Sequence, residues 1–222
     1  MEAKKTNNNS LAIKIIVGVA AAILLFIIWL IFINKNNQPD ERVFTFFAFR
    51  VTVPLTNIMK AITFLGDHNF LIPANLLTMA FLLFKKNKED ALRFLVVALT
   101  SVGLMSLLKY LFHRHRPINP LIEGITNFSF PSGHAFMSLT FFGLLIYFIA
   151  TEWKKNWLTL LLIFMLLLLI FFIGFSRVYL RVHYTSDVIA GWIFGSFWLL
   201  ICLFVLDKLL KKKPATLQEI SK

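Results

Sequence analysis

The hydrophobic positions of this chain come in long, uninterrupted runs separated by short polar segments. Six such runs cover residues 15–33, 62–84, 91–112, 135–150, 157–175 and 188–206. About 20 apolar residues in a helix cross the hydrocarbon core of a bilayer, and the first run would extend over about 28 Å. The runs lack amphipathic spacing, which indicates burial in lipid. The pattern predicts an all-α, polytopic membrane protein with six transmembrane helices.

The second run is interrupted by polar residues, and an aromatic, partly charged segment precedes it. The interruptions are Asp67, His68, Asn69 and Pro73, so the spanning part is expected to begin near Asn69. The preceding segment, 43–60, mixes phenylalanines with Arg50, Asn57 and Lys60, which is typical of a helix lying in the membrane interface. We expect an N-terminal tail at 1–10, a membrane domain at 11–207 and a basic C-terminal tail at 208–222.

Composition supports a membrane protein and narrows its partners. Hydrophobic residues make up 58% of the chain, above the roughly 45–50% of soluble domains. The single cysteine, Cys202, excludes an intramolecular disulfide. The net charge of +12 suits anionic lipid headgroups or an anionic substrate, and the extensive apolar runs argue against nucleic acid as a partner.

Lysines between the runs predict the orientation of the chain in the membrane. With six spans, one face receives Lys4, Lys5, Lys85, Lys86, Lys88, Lys154, Lys155, Lys208, Lys211, Lys212 and Lys213. Basic loops remain on the cytoplasmic side, so both termini are expected in the cytoplasm. The extracytoplasmic face then receives residues 34–62, 109–131 and 176–187.

Three clusters of polar residues lie on this predicted outer face. They are Lys109 with Arg116 and Pro117, then Pro131, Ser132, Gly133 and His134, then Ser176, Arg177, His183 and Asp187. Ionisable residues are costly at membrane depth, so their convergence predicts a functional site. Taken alone, each cluster also fits an ordinary structural role, such as snorkelling anchors, a helix-starting turn or a polar pair.

The residue types suit phosphoryl transfer. Catalysis of this reaction rests on positioning and on stabilising negative charge at phosphate oxygens, which Lys109, Arg116 and Arg177 are suited to do. Ser132 and Gly133 precede the fourth run, where a hydroxyl and the N–H groups of a helix start would bind the same oxygens. Three cations with one nearby carboxylate do not predict a divalent metal site, so no metal or other cofactor is expected.

Two histidines fit the roles of nucleophile and acid. A neutral ring nitrogen can attack phosphorus when a carboxylate fixes the other nitrogen, and Asp187 follows His183 by one helical turn. His134, in another cluster, is then free to protonate the leaving oxygen.

The three segments fit the pattern Lys-x6-Arg-Pro, Pro-Ser-Gly-His and Ser-Arg-x5-His-x3-Asp. In this the chain resembles the type 2 phosphatidic acid phosphatase superfamily. The resemblance implies a phospho-histidine on His183 and a lipid phosphate substrate, undecaprenyl diphosphate or phosphatidylglycerol phosphate among the bacterial members. It leaves His113, Arg114, His115 and Arg181 without a role.

Other functions fit parts of the same pattern. Within the family they are a lipid A phosphatase, a phosphotransferase or a soluble-substrate phosphatase, since the superfamily includes sugar phosphatases and the related haloperoxidases, which hold vanadate in this motif. A non-catalytic anion-binding transporter or channel is a further alternative, which requires polar residues through the spans. The two spans between 135 and 175 are almost unbroken apolar sequence, which argues against it.

Overall fold

The apolar runs form helices in a computed structural model that describes residues 2–48 and 50–211. All regular secondary structure in these residues is helical. The helices are α1 (Glu2–Ile28), which continues as a π-helix (Trp29–Ile33), α2 (Gln38–Ala48), α3 (Val53–Phe64), α4 (His68–Phe84), α5 (Lys88–Phe112), α6 (Gly133–Glu152), α7 (Trp157–Tyr179) and α8 (Thr185–Lys211).

Five helices in this part of the chain are long and apolar enough to cross a membrane. They are Lys14–Ile33, Lys88–Phe112, Gly133–Glu152, Trp157–Tyr179 and Thr185–Leu210. Large apolar side chains are exposed on them, such as Leu160 at 64% and Phe204 at 61%. Such surfaces need lipid around them. The chain is therefore a multi-pass membrane protein that is helical in the part the structure describes, as predicted, and five of the six predicted spans lie in single long helices.

The predicted second span, 62–84, is not one helix. α3 ends at Phe64, and α4 starts after Asp67, whose Oδ1 accepts a hydrogen bond from the Asn69 N–H at 2.9 Å. This carboxylate caps the helix start and so separates two apolar stretches that the sequence pattern joined. α4 has 17 residues, or about 25 Å, slightly less than the thickness of the hydrocarbon core.

The predicted interfacial helix at 43–60 is also divided. α2 ends at Ala48 and α3 begins at Val53, with Thr52 as its N-cap and a proline in its first turn. At the ends of the chain, α1 begins at Glu2, inside the segment expected as a tail. Residues 212–222 of the predicted basic tail lie outside the described residues.

α6 lies at the centre of the bundle, where it packs against α5, α7 and α8. Two glycines let α8 come close to the start of α6. A Cβ on Gly191 would lie 2.7 Å from the backbone oxygen of Ser132, and one on Gly195 would lie 3.2 Å from that of Phe136. Small residues one turn apart permit such close helix packing in membranes. The approach joins the second and third clusters, because the Ser132 N–H donates to the Asp187 carbonyl at 2.9 Å.

Candidate active site

The three clusters meet at the end of the bundle where α5 and α7 finish and α6 and α8 begin. There they border a cavity of about 1020 Å³. Six of the eight predicted site residues line it: Lys109, Arg116, Gly133, His134, Arg177 and His183. The other two, Ser132 and Asp187, are fully buried beside it.

His183 lies in the turn between α7 and α8 and is 1% exposed. Its Nε2 is 3.2 Å from Nη1 of Arg116, a group that can only donate, so Nε2 is the acceptor and the ring proton belongs on Nδ1. Nδ1 lies 3.5 Å from Oδ2 of Asp187, a distance at which no hydrogen bond forms in this conformation, and catalytic hydrogen bonds often tighten only when substrate binds. The unprotonated Nε2 is therefore the nitrogen available for attack.

The surroundings of His183 keep its ring neutral. Burial lowers the pKa of His183 to about 3, and the positive charges of Arg116 and Arg177 act in the same direction, against the opposing effect of Asp187. A neutral imidazole at the pH of a cell is the form that a nucleophile requires.

Asp187 is fully buried and its carboxylate has three further partners. Oδ1 accepts from Nη1 of Arg114 at 2.5 Å, and Oδ2 accepts from the Tyr184 N–H at 2.9 Å and from the Ser129 hydroxyl. A buried carboxylate needs such pairing to remain ionised. The sequence pattern had left Arg114 without a role and had not singled out Ser129.

The three predicted phosphate-binding cations have polar partners but no carboxylate. Lys109 donates to the Phe128 carbonyl at 2.6 Å, Arg116 to the Val182 carbonyl at 2.5 Å, and Arg177 to the Thr63 hydroxyl at 2.8 Å. Burial lowers the pKa of Arg116 to about 10, which leaves it protonated at neutral pH. Within the described residues none of the three forms a salt bridge, so their charge at the cavity favours an anionic ligand.

Ser132 provides an unpaired hydroxyl beside these cations. It is the N-cap of α6, yet its side chain makes no capping hydrogen bond, and its buried Oγ has no partner among the described atoms. The first N–H groups of a helix also lack intrahelical partners. A buried hydroxyl without a partner, next to a helix start, is suited to an oxyanion in the cavity.

His134, in the first turn of α6, faces a carboxylate that the sequence pattern did not assign to the site. Its Nε2 lies 3.6 Å from Oδ2 of Asp67, the N-cap residue of α4. Thr63, four residues earlier, binds Arg177. In the sequence, Thr63 and Asp67 are visible as two polar residues one helical turn apart at the start of an apolar run. The turn at 65–67, which brings them to the motif residues, is not visible there.

Metal ligands are not gathered at this site. Among the described residues no group of three His, Cys, Asp or Glu side chains is arranged to hold a metal ion. His113, one of the two histidines before Arg116, packs its ring against Phe128 with centroids 4.5 Å apart.

Residues 90–211, more than half of the chain and all eight predicted site residues, match the family model of the PAP2 superfamily. The chain belongs to the PAP2 superfamily. This confirms the resemblance inferred from the three motifs, and with it the phosphatase class.

Individual PAP2 proteins extend the match beyond this region. Phosphatidylglycerophosphatase B of Bacillus subtilis is 32% identical over 146 residues, 64% of this chain and 70% of the relative. An undecaprenyl-diphosphatase of Sulfolobus acidocaldarius is 29% identical over 185 residues, 78% of this chain and 84% of the relative. The crystal structure of a transmembrane PAP2 type phosphatidylglycerolphosphate phosphatase from Bacillus subtilis superimposes with a TM-score of 0.77 at 25% identity, covering 90% of this chain and 98% of that one.

Proposed function

We propose that this PAP2 protein removes the terminal phosphate of a membrane lipid, undecaprenyl diphosphate or phosphatidylglycerol phosphate, through a phospho-histidine on His183. One observation carries the choice of a lipid. The cavity that holds Lys109, Arg116 and Arg177 continues along an apolar wall that includes Leu71, Leu76, Leu99 and Val102 of α4 and α5. A phosphate can bind the cations while an apolar tail follows that wall into the bilayer.

The phosphate binds among donors that already border the cavity. Lys109, Arg116 and Arg177 neutralise its oxygens, and Ser132 with the first N–H groups of α6 adds neutral donors. Arg116 exchanges its contact with Nε2 of His183 for a phosphate oxygen, which frees the lone pair for attack. Preorganised donors of this kind stabilise the charge that develops in the transition state.

The reaction then has two steps. Nε2 of His183 forms a bond to phosphorus as the bond to the leaving oxygen breaks, and that oxygen takes a proton from His134. The ring of phospho-His183 carries a positive charge next to the carboxylate of Asp187. In the second step water gives a proton back to His134 and attacks phosphorus, the P–N bond breaks, and phosphate leaves with His183 neutral again.

The membrane arrangement follows from α4 and the lysines. With α4 as a short crossing, the chain spans the bilayer six times, and α2 and α3 lie at the outer interface. Both termini, including the tails proposed at 1–10 and 208–222, are then cytoplasmic, and the membrane domain at 11–207 opens its site outward. A cysteine at Ile118, which is 87% exposed, should react with an impermeant thiol reagent in intact cells, whereas labelling only after permeabilisation would contradict this orientation.

No divalent metal takes part in the proposed reaction, since three protein cations supply the charge stabilisation that magnesium provides elsewhere. Chelators should leave activity unchanged, and activity lost in a chelator and restored by magnesium would contradict this. Vanadate, which adopts the five-coordinate geometry of the reacting phosphorus, should inhibit.

A panel of substrates in one detergent tests the proposed function. It contains undecaprenyl diphosphate, phosphatidylglycerol phosphate, phosphatidic acid, lipid A and glucose 6-phosphate, with His183→Gln as the inactive control. We expect a higher kcat/KM for undecaprenyl diphosphate or phosphatidylglycerol phosphate than for the sugar phosphate. Faster turnover of glucose 6-phosphate than of every lipid would overturn the proposal, and transfer of phosphate to an added alcohol in preference to water would identify a phosphotransferase.

A further inference from the structure

Arg114 lies behind the active site between two buried aspartates. Its Nη1 donates to Oδ1 of Asp187 at 2.5 Å, and its Nη2 donates to Oδ2 of Asp40 at 2.9 Å. The guanidinium group lies 4.0 Å from the ring centre of Tyr184. Arg114 is 7% exposed and is absent from the cavity lining, so its charge is directed at the carboxylates rather than at a phosphate.

Asp40 also holds the first turn of α8. Its Oδ1 accepts from the Ser186 N–H at 3.0 Å, and its Oδ2 accepts from the Ser186 hydroxyl at 2.5 Å. Ser186 precedes Asp187 directly. Asp40 belongs to α2, outside the residues matched by the family model, and it is 6% exposed. A carboxylate far away in sequence thus contacts both the arginine bound to Asp187 and the residue next to it.

We propose that Arg114 and Asp40 are positioning residues of the phosphatase reaction. This inference rests on the function proposed for His183. They fix the carboxylate of Asp187 opposite Nδ1 of His183, so that the ring keeps its proton on Nδ1 and presents Nε2 to phosphorus. Neither residue touches the substrate, and both act through Asp187.

The charges of this group match the needs of the reaction. One arginine between two aspartates leaves one net negative charge, and the ring of His183 gains one positive charge when Nε2 bonds to phosphorus. Without Arg114, the buried carboxylate of Asp187 would lose its cation and would turn away or take up a proton. Either change removes the acceptor that holds the proton on Nδ1.

The positioning role requires the planar shape of the Arg114 guanidinium group as well as its positive charge. A guanidinium group reaches two carboxylates through separate N–H groups in one plane, whereas a lysine is a single point of charge. We therefore expect Arg114→Gln to lower kcat by about 10–100-fold, by analogy with the loss of a partner that orients a metal-bound histidine. Arg114→Lys should lose at least about fivefold, and Asp40→Asn about three- to tenfold, by the same principle. The KM for the lipid should stay within about twofold, because the phosphate contacts remain.

Matched controls for Asp40→Asn come from α2, the helix that contains Asp40. Glu41 and Arg42 of α2 are exposed and follow Asp40 directly. Glu41→Gln and Arg42→Gln should retain the kcat and KM of the wild type. A loss in these variants equal to that of Asp40→Asn would overturn the proposal, because it would show a general sensitivity of α2.

A double-mutant cycle with Asp187→Asn separates positioning from a purely structural role. If Arg114 acts through Asp187, Arg114→Gln should cost less than about threefold in kcat when Asp187 is already Asn, because the two changes remove the same interaction. Losses that multiply would overturn the proposal. If purified Arg114→Gln is aggregated in size-exclusion chromatography, Asp40→Asn takes its place in the cycle, with the same criterion.

The outcome is distinguishable from a failure of the proposed function. A wild-type protein that hydrolyses no lipid phosphate, or forms no phospho-His183, refutes the function itself. An active wild type with a phospho-histidine, together with an Arg114→Gln variant of equal kcat, refutes only the positioning role.

Discussion

A buried arginine lies between two aspartates at each end of the helix bundle. At the cavity end, Arg114 joins Asp40 and Asp187. At the other end, Arg93 joins Asp90 and Asp207, with both contacts at 2.8 Å. Asp207 also accepts a hydrogen bond from the hydroxyl of Tyr147 at 3.3 Å. Tyr147 thus has the same position relative to Asp207 that His183 has relative to Asp187.

The difference between the two ends lies in the groups around each arginine. The Arg93 group lines no part of the large cavity, and it ties α5 to α8 by pairing opposite charges. At the Arg114 end, three more cations face the cavity without a salt bridge among the described residues, next to the unpaired hydroxyl of Ser132. Unmatched charge beside a cavity, rather than buried charge as such, distinguishes a binding site from a structural contact.

The two ends should differ most strongly in the effect on turnover when the partner of Asp187 or the partner of Asp207 is replaced. His183→Gln should lower lipid phosphate hydrolysis by about 10⁴-fold or more, as expected for loss of a nucleophile. Tyr147→Phe removes the corresponding partner of Asp207 and should leave turnover unchanged. Initial rates of purified, monodisperse protein measure both. Substantial activity in His183→Gln would place the nucleophile elsewhere.

His134→Ala tests the acid at the same site. Hydrolysis of a lipid phosphate, whose leaving oxygen needs a proton, should fall by about 10²–10⁴-fold. An activated phenyl phosphate should lose far less, because its phenolate leaves without protonation. Steady-state rates with both substrates in one detergent are compared. Equal losses would refute the acid role.

Arg93→Gln should act on stability and not on catalysis. It leaves Asp90 and Asp207 without their cation, at a cost of about 2–3 kcal/mol, less than for a fully buried pair because the side chain of Asp207 is 31% exposed. Thermal unfolding in detergent should shift downwards, while kcat of the protein that remains folded stays that of the wild type. A lower kcat at unchanged stability would remove the distinction between the two ends.

The depressed pKa of His183 predicts a pH dependence of the free energy of unfolding. The unfolded ring takes up a proton below about pH 6.5, whereas the folded ring does so only near its pKa of about 3. Stability should therefore fall as the pH drops through this window, by about 1.6 kcal/mol between pH 6.5 and 5. His183→Gln should lose that part of the dependence. Identical pH profiles of melting temperature in the two proteins would contradict the neutral state of His183.

The motifs could be located from the sequence because each is a short pattern at the end of an apolar run. The hydrophobic runs located the long helices, and the three clusters located the ends at which Lys109, His134 and His183 meet. Neither inference needed tertiary information, because a span of fixed length places both of its ends at known depths.

The sequence did not reveal contacts that depend on how distant helices pack. Asp67 interrupts an apolar run because it is the N-cap of α4. The hydrophobic pattern shows this interruption but does not show that Asp67 lies next to His134. Asp40 lies in the first turn of α2, in a polar segment that belongs to none of the motifs, and only the packing of α2 against α8 brings it to Ser186 and Arg114. Periodicity contains no information on such pairs.

Trapping the phospho-enzyme tests the proposed mechanism most directly. Purified protein is mixed with phosphatidylglycerol phosphate labelled with ³²P in its terminal phosphate, quenched in alkaline detergent within one turnover, and digested for mass spectrometry, with His183→Gln in parallel. A phospho-histidine on His183 predicts alkali-stable, acid-labile label on the peptide that contains His183, and none in His183→Gln. Phosphate release by the wild type without label on His183, or with label on another residue, would contradict it.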